Sequence, residues 1–120
     1  MAEKGNTGRK KKVWLIVQMD IDPEDEEEYN RWYDTEHIPM FLKVPGVLGA
    51  KRAKLLGPYS GPRYITIYEY ADDKVAKSKE YSAVLETPWA KKMMGKLKNW
   101  SLDFLEEMPG YWDYQYEFEK

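Results

Sequence analysis

Val47-Leu48-Gly49-Ala50-Lys51-Arg52-Ala53-Lys54-Leu55-Leu56, then Gly57-Pro58-Tyr59-Ser60-Gly61-Pro62, then Arg63-Tyr64-Ile65-Thr66-Ile67-Tyr68-Glu69-Tyr70 is the stretch on which the fold turns. Residues 63–70 set Tyr64, Thr66, Tyr68 and Tyr70 on one face and Ile65, Ile67 and Glu69 on the other, the period-two pattern of a strand. The Gly/Pro-rich loop before it separates it from a more basic strand over 47–56, interrupted at Gly49. Two strands in direct succession, with no helix between them, make an antiparallel pair in the middle of the chain.

Upstream, Val13-Trp14-Leu15-Ile16-Val17-Gln18-Met19 reads as a buried strand. Asp22-Pro23 is a helix start, with Asp as N-cap and Pro at the first helical position. The five acids Glu24 to Glu28 complement the positive end of that helix; consecutive positions fan around a helix and do not converge on a metal. Tyr29, Trp32, Tyr33, Glu36, His37 and Met40 form one helical stripe. Pro39 disfavours helical angles at Ile38, so the regular helix is expected to end or bend near His37. Phe41, Leu42 and Val44 lead into the turn Pro45-Gly46.

Downstream, Asp72-Asp73 opens a second helical region through Val75, Tyr81, Val84 and Leu85, broken near Pro88 and resumed over Trp89 to Leu97. The final strand is expected at Tyr111 to Phe118, where Trp112, Tyr114, Tyr116 and Phe118 alternate with Asp113, Gln115 and Glu117. The order is β-α-β-β-α-β, an α+β ferredoxin-like unit: a four-stranded antiparallel sheet with helices on one face. The other sheet face is expected to carry many aromatics. A small monomer does not leave such a patch wet, so a homodimer through the sheet face is predicted.

Composition bounds the chemistry. The 120 residues suit one domain, expected over 13–120 behind a disordered basic arm over 1–12. That arm carries a net +4 and leaves −6 on the remainder of a chain whose total is −2. An acidic body is a poor polyphosphate binder, so no nucleic-acid partner is expected. No apolar run approaches the roughly 18–20 residues that span a bilayer, and Val13 to Val17 is too short for a signal-peptide core. A cytoplasmic protein with no membrane partner is expected. Zero cysteines and one histidine exclude thiol catalysis, disulfide frameworks and multi-histidine metal sites within one chain. Phosphate-loop, dinucleotide, HExxH and GxSxG motifs are absent from the sequence. No metal and no cofactor are expected; a haem on His37 has no second feature in its favour.

Trp32-Tyr33-Asp34-Thr35-Glu36-His37-Ile38-Pro39 followed by Val44-Pro45-Gly46-Val47 resembles the helix-to-second-strand segment of the EthD-like branch of dimeric α+β barrel proteins. Tyr68-Glu69 and Thr87-Pro88-Trp89 are similar to that branch as well, and the resemblance spans roughly residues 13–118. It implies a homodimer in which two four-stranded sheets form a barrel. It also implies a pocket between sheet and helices in each subunit, lined by the segment that carries His37. The superfamily includes muconolactone-isomerase-like proteins, small monooxygenases without metal or flavin, polyketide dehydratases and cyclases, and haem-handling members. Fold therefore transfers further than function.

His37 is the one side chain whose ordinary pKa lies near neutrality, and it borders an apolar stripe. It is a candidate general acid or base; a histidine near a helix C-terminus also has a purely structural use. Glu36 sits at the middle of the stripe, where a carboxylate must be paired or reach a wet cavity. It assists His37, pairs with Arg52, or turns to solvent where Pro39 unwinds the helix. Trp32, Tyr33, Met40, Phe41, Arg52, Tyr68 and Trp89 are the candidate substrate-holding residues, since ligand cavities are mostly apolar and aromatic with few polar groups. The functional expectation is a small cofactor-independent acid–base enzyme, of isomerase, dehydratase or cyclase type, acting on an aromatic, polyketide-like or lactone substrate. The alternatives are a non-catalytic dimeric module, stress-associated or binding a small apolar molecule, and a cofactor-free monooxygenase.

Overall fold

The β-branched and large apolar run at the start of the domain takes an inner place in the sheet. In the computed structural model, which describes residues 11–58 and 61–108, it forms β1 (Val13–Asp20). β2 (Val47–Lys54) and β3 (Tyr64–Tyr70) follow as the antiparallel pair, and β4 (Lys98–Glu106) completes the order β2-β3-β1-β4. Every neighbouring pair is antiparallel. Leu15 stands opposite Tyr68 on one side and Phe104 on the other, and Val17 opposite Thr66 and Leu102.

The fourth strand corrects the expectation that placed it at Tyr111 to Phe118, a segment outside the described residues. Trp100, Leu102 and Phe104 alternate with Ser101, Asp103 and Leu105, and this weaker period-two pattern pairs with β1 along almost its whole length. The aromatic face is also reversed. Tyr64, Thr66, Tyr68 and Tyr70 point to the helices and are buried. Their rings meet helix aromatics there: Tyr64 on Tyr29, Tyr68 on Phe41 and Tyr70 on Tyr81. The register leaves Trp14, Ile16, Ile65, Ile67 and Leu105 on the outer face, mixed with Gln18, Glu69 and Asp103.

The helical layer starts with a 3₁₀ turn at Pro23–Asp25 and continues as α1 (Glu26–Trp32). A π turn over Tyr33–His37 then leads into α2 (Ile38–Leu42). The chain does not leave the helix before Pro39: Ile38 keeps φ −67° and ψ −45°. Its N–H donates to the carbonyl of Tyr33, five residues back. The widened turn absorbs both the ring and the missing donor of the proline, which an α-helix interior would not. Gly46 turns the chain into β2 with φ +91°, and a Cβ there would stand 2.5 Å from Val75 Cγ2. Only glycine meets both conditions cheaply.

The second helical region is α3 (Lys79–Val84) and α4 (Pro88–Met94). Ser78 caps α3 by accepting from Tyr81 N (3.1 Å), and Thr87 caps α4 by accepting from Ala90 N (3.0 Å). Pro88 opens α4, where no N–H is needed. The acidic run ties α1 to other elements. Glu26 accepts from the Tyr64 hydroxyl and pairs with Arg63 (3.4 Å) and Lys54 (3.7 Å), and the Tyr64 bond chiefly lowers its pKa. Glu28 accepts from Trp89 Nε1 (3.0 Å) and Lys92 (2.8 Å). Among the described residues no helix is long and apolar enough to cross a membrane.

Candidate functional site

A cavity of about 230 Å³ lies between the helix side of the sheet and the helices. Its floor is Leu15, Val17 and Met19 of β1 with Tyr68 of β3. One wall is Trp32, Tyr33, His37 and Phe41, the stripe that runs through the π turn. Tyr81 and Leu85 stand opposite, and Met94, Leu97, Trp100 and Leu102 form the rim toward β4. On this rim Trp100 and Leu102 stay 61% and 45% exposed.

His37 is only 6% exposed. Its ring stacks on Trp32 (centroids 4.2 Å) and meets the edges or faces of Tyr33 (4.9 Å) and Phe41 (4.8 Å). Its Nδ1 is buried with no hydrogen-bond partner. Burial, reinforced by the Arg52 charge, pushes its pKa down to about 3, so the imidazole is neutral at physiological pH. The Tyr68 hydroxyl and Thr66 Oγ1 beside it on the strand face are also buried without a partner at full hydrogen-bond geometry, and the Tyr33 hydroxyl is the polar group that interacts with both. Burial holds the Tyr68 phenol well above its ordinary pKa, and the neighbouring Tyr33 adds to this. Burial raises the Tyr33 phenol likewise, against a smaller opposing influence of the Thr66 hydroxyl. The cavity is thus mostly apolar, and two of its lining residues, His37 and Tyr68, each bury a polar atom without a hydrogen-bond partner.

Of the residues singled out in the sequence, Trp32, Tyr33, His37, Phe41 and Tyr68 meet at this cavity. Glu36, Met40, Arg52 and Trp89 stand outside its wall. Glu36 Oε2 accepts from Trp32 Nε1 (3.2 Å) and from the Thr87 hydroxyl (2.7 Å), so it neither pairs with Arg52 nor turns to solvent. It links the indole on which His37 stacks to the cap of α4. Arg52 donates to Asn30 (2.7 Å) and Asp34 (3.3 Å) and lies over the ring of Tyr33 at 4.4 Å. Met40 packs against the core around Phe41 and Val44. Trp89 is held by Glu28, with Arg31 over its ring. Sequence reasoning missed Tyr81, Leu85 and the rim. The alternation of Trp100, Leu102 and Phe104 was the available signal for the rim. Among the described residues no three His, Asp or Glu side chains gather as a metal site.

A family described as a domain of unknown function, DUF4286, matches residues 12–110. The chain belongs to that family. No protein with a curated description matches this DUF4286 member in sequence. Among solved structures it is similar to an EthD family protein of Bacillus halodurans, at 27% identity and a TM-score of 0.61, over 81% of this chain and 99% of the other. It is also similar to SnoaB, a cofactor-independent oxygenase from Streptomyces nogalater, at 11% identity and a TM-score of 0.58, over 83% and 95%. A dimeric protein of unknown function and ferredoxin-like fold from Bacteroides fragilis shares 12% identity with a TM-score of 0.59, over 80% and 96%. The EthD-like resemblance and the ferredoxin-like fold both stand, and this DUF4286 chain shares its fold with a cofactor-independent oxygenase.

Proposed function

We propose that the protein is a small acid–base enzyme working without a cofactor on an aromatic, polyketide-like or lactone molecule held in the cavity beside His37. The observation that carries this reading is that His37 and Tyr68, each with a buried polar atom that lacks a hydrogen-bond partner, line the same apolar cavity. A neutral imidazole offers a lone pair to a substrate C–H or O–H. The C–H bond breaks, the N–H bond forms, and the electron pair moves onto the carbonyl oxygen as an enolate. The Tyr68 O–H, kept protonated by its raised pKa, donates to that oxygen. The imidazolium then returns the proton at another atom. Its charge is poorly tolerated in this site alone and is offset by the enolate it has just made.

Exchange of the α-protons of 2-tetralone and of a γ-lactone in D2O, followed by NMR, tests the reading. The wild-type protein accelerates exchange, His37→Asn loses roughly 100-fold or more, and Tyr68→Phe loses about 10-fold. Full exchange activity in both variants, or none in the wild type, sinks the assignment. Binding of the ketone by native mass spectrometry without any exchange favours a non-catalytic module. The working unit we propose is a homodimer through the outer sheet face, where Ile67 and Leu105 are 39% and 38% exposed. The dimeric neighbour of the same fold supports it. A sedimentation mass of one chain at micromolar concentration contradicts it.

A further inference from the structure

The cavity beside His37 adjoins a second concave space on the helix side of the sheet. A groove lies between β4 and the segment that follows β3, a 3₁₀ turn (Val75–Lys77) and α3. Tyr70, Ala76 and Phe104 line the groove and not the cavity, whereas Tyr81, Leu85 and Leu102 line both. The two spaces therefore meet across those three side chains. The groove offers about 560 Å³ and the cavity about 230 Å³, so a molecule confined beside His37 uses the smaller of them.

Two features of the groove define what it fits. Its hydroxyls belong to Tyr70 and Tyr81, both more than nine-tenths buried, with Tyr70 donating to Tyr81 at 3.0 Å. One hydrogen bond between two hydroxyls uses one hydrogen, so the pair keeps an O–H to give. Among the described residues that O–H meets no acceptor, and an acceptor oxygen on a ligand would complete it. The charged lining is Asp73, Lys77 and Glu106, and Glu106 accepts from Lys11 at 2.7 Å. Two carboxylates and two ammonium groups leave no net charge there, which suits a neutral ligand.

We propose that the molecule bound beside His37 is neutral and elongated and spans both spaces, with its carbonyl end at His37 and Tyr68 and a second acceptor oxygen at the Tyr70–Tyr81 pair. Its apolar body crosses the junction at Leu85 and Leu102. This rests on the function proposed above and adds a second subsite to it. The groove selects for length, and the tyrosine pair selects for the second oxygen. Ala76 and Phe104 touch only the far end of such a ligand, so they govern its affinity without touching the carbonyl end.

Three ketones test it on the full chain: 2-tetralone, 6-benzyloxy-2-tetralone, and 6-(2-phenylethyl)-2-tetralone, which has the same length but a methylene in place of the ether oxygen. Dissociation constants are measured by isothermal titration calorimetry. The benzyloxy ketone should bind at least about tenfold tighter than 2-tetralone, through burial of the added ring. It should bind about threefold tighter than the phenylethyl ketone, through the spare O–H. Phe104→Lys places a charge in the groove and Ala76→Phe fills it. Both should abolish the tenfold gain and leave 2-tetralone binding within about twofold, which also reports that each variant is folded. Phe104 is exposed, so Phe104→Lys supplies the readout if Ala76→Phe does not fold. Equal binding of all three ketones by the wild type, or a gain that survives the folded variants, overturns the proposal. Equal binding of the ether and the hydrocarbon overturns the role of the tyrosine pair. Exchange of the ketone α-protons in D2O separates this from the reaction. Length-dependent binding without exchange keeps the groove and sinks the enzyme, exchange with equal affinities keeps the enzyme and sinks the groove, and no binding at all sinks both.

Discussion

Two groups of aromatic and polar side chains lie next to each other on the helix side of the sheet and differ in one respect. In the first, around Arg52, the polar ends are engaged. Tyr29 donates to Met19 Sδ (2.8 Å), Tyr64 donates to Glu26, and Arg52 donates to Asn30 and Asp34 while lying over Tyr33, Tyr29 and Tyr64 at 4.4, 5.3 and 5.7 Å. In the second, around the cavity, His37 Nδ1, Tyr68 OH and Thr66 Oγ1 are buried with no partner. Each such group costs about 1–3 kcal/mol relative to a satisfied one. The first group reads as a fastening. The second is a local cost that folding alone does not recover, and a ligand with one polar end would recover it.

The difference is sharpest on removing one member of each group. Arg52→Ala takes away a half-buried guanidinium, two hydrogen bonds and a cation over three rings, and it leaves Asn30 with a lost donor. We expect a loss of about 2–4 kcal/mol, read as a lower urea midpoint at unchanged slope. At neutral pH, His37→Phe should stay within about 1 kcal/mol of the wild type, because it exchanges an unpartnered ring for an apolar one of similar size. A greater loss from His37→Phe than from Arg52→Ala would show that the cavity group, not the Arg52 group, fastens the fold.

Acid separates the groups by a second route. The folded His37 has its pKa depressed to about 3, against about 6.5 in the unfolded chain. Between those values the unfolded state binds the extra proton, so the wild type loses stability as pH falls below about 6.5. From about pH 7 to pH 5.5 the loss from this residue is about 1 kcal/mol. Glu26, with its pKa lowered from 4.5 chiefly by the Tyr64 hydrogen bond, weakens the Arg52 group only at lower pH, as the carboxylate becomes protonated. Urea unfolding at the two pH values should show the loss in the wild type and its disappearance in His37→Phe. An equal loss in both would place the titrating group elsewhere.

The legibility of these groups in the sequence was uneven, for physical reasons. The order of elements followed from periodicity and from Gly and Pro punctuation, and the stripe Trp32, Tyr33, His37 and Phe41 came with it. The fourth strand did not, because Trp100, Leu102 and Phe104 compete with a stronger alternation twelve residues later, and only pairing with β1 shows which segment lies beside it. Nor did the continuity of the helix through Pro39: a π turn is a backbone adjustment with no side-chain signature. The stripe marks Glu36 as a carboxylate in an apolar position, but its partners Trp32 Nε1 and Thr87 depend on how α4 docks. Whether a buried hydroxyl is paired is a tertiary property, and the alternation of β3 gives Tyr64, Tyr68 and Tyr70 the same address.

Those three tyrosines provide the finest discrimination. On β3, Tyr70 donates to the Tyr81 hydroxyl at 3.0 Å, whereas Tyr68, two residues earlier on the same face, has no partner at that geometry and only the Tyr33 hydroxyl near it. Tyr81→Phe strands the Tyr70 hydroxyl in a buried site and should cost about 1 kcal/mol. Tyr68→Phe removes a hydroxyl that was already stranded, so stability should be unchanged or rise by up to about 0.5 kcal/mol. Binding should respond in the opposite sense. Tyr68→Phe should weaken retention of 2-tetralone several-fold by native mass spectrometry, because under the proposed function it deletes the donor to the ketone oxygen. Tyr81→Phe should change it little, because the lost hydroxyl was committed to Tyr70. If Tyr68→Phe instead costs as much stability as Tyr81→Phe and leaves ketone retention intact, the Tyr68 hydroxyl has a protein partner and is not reserved for a ligand.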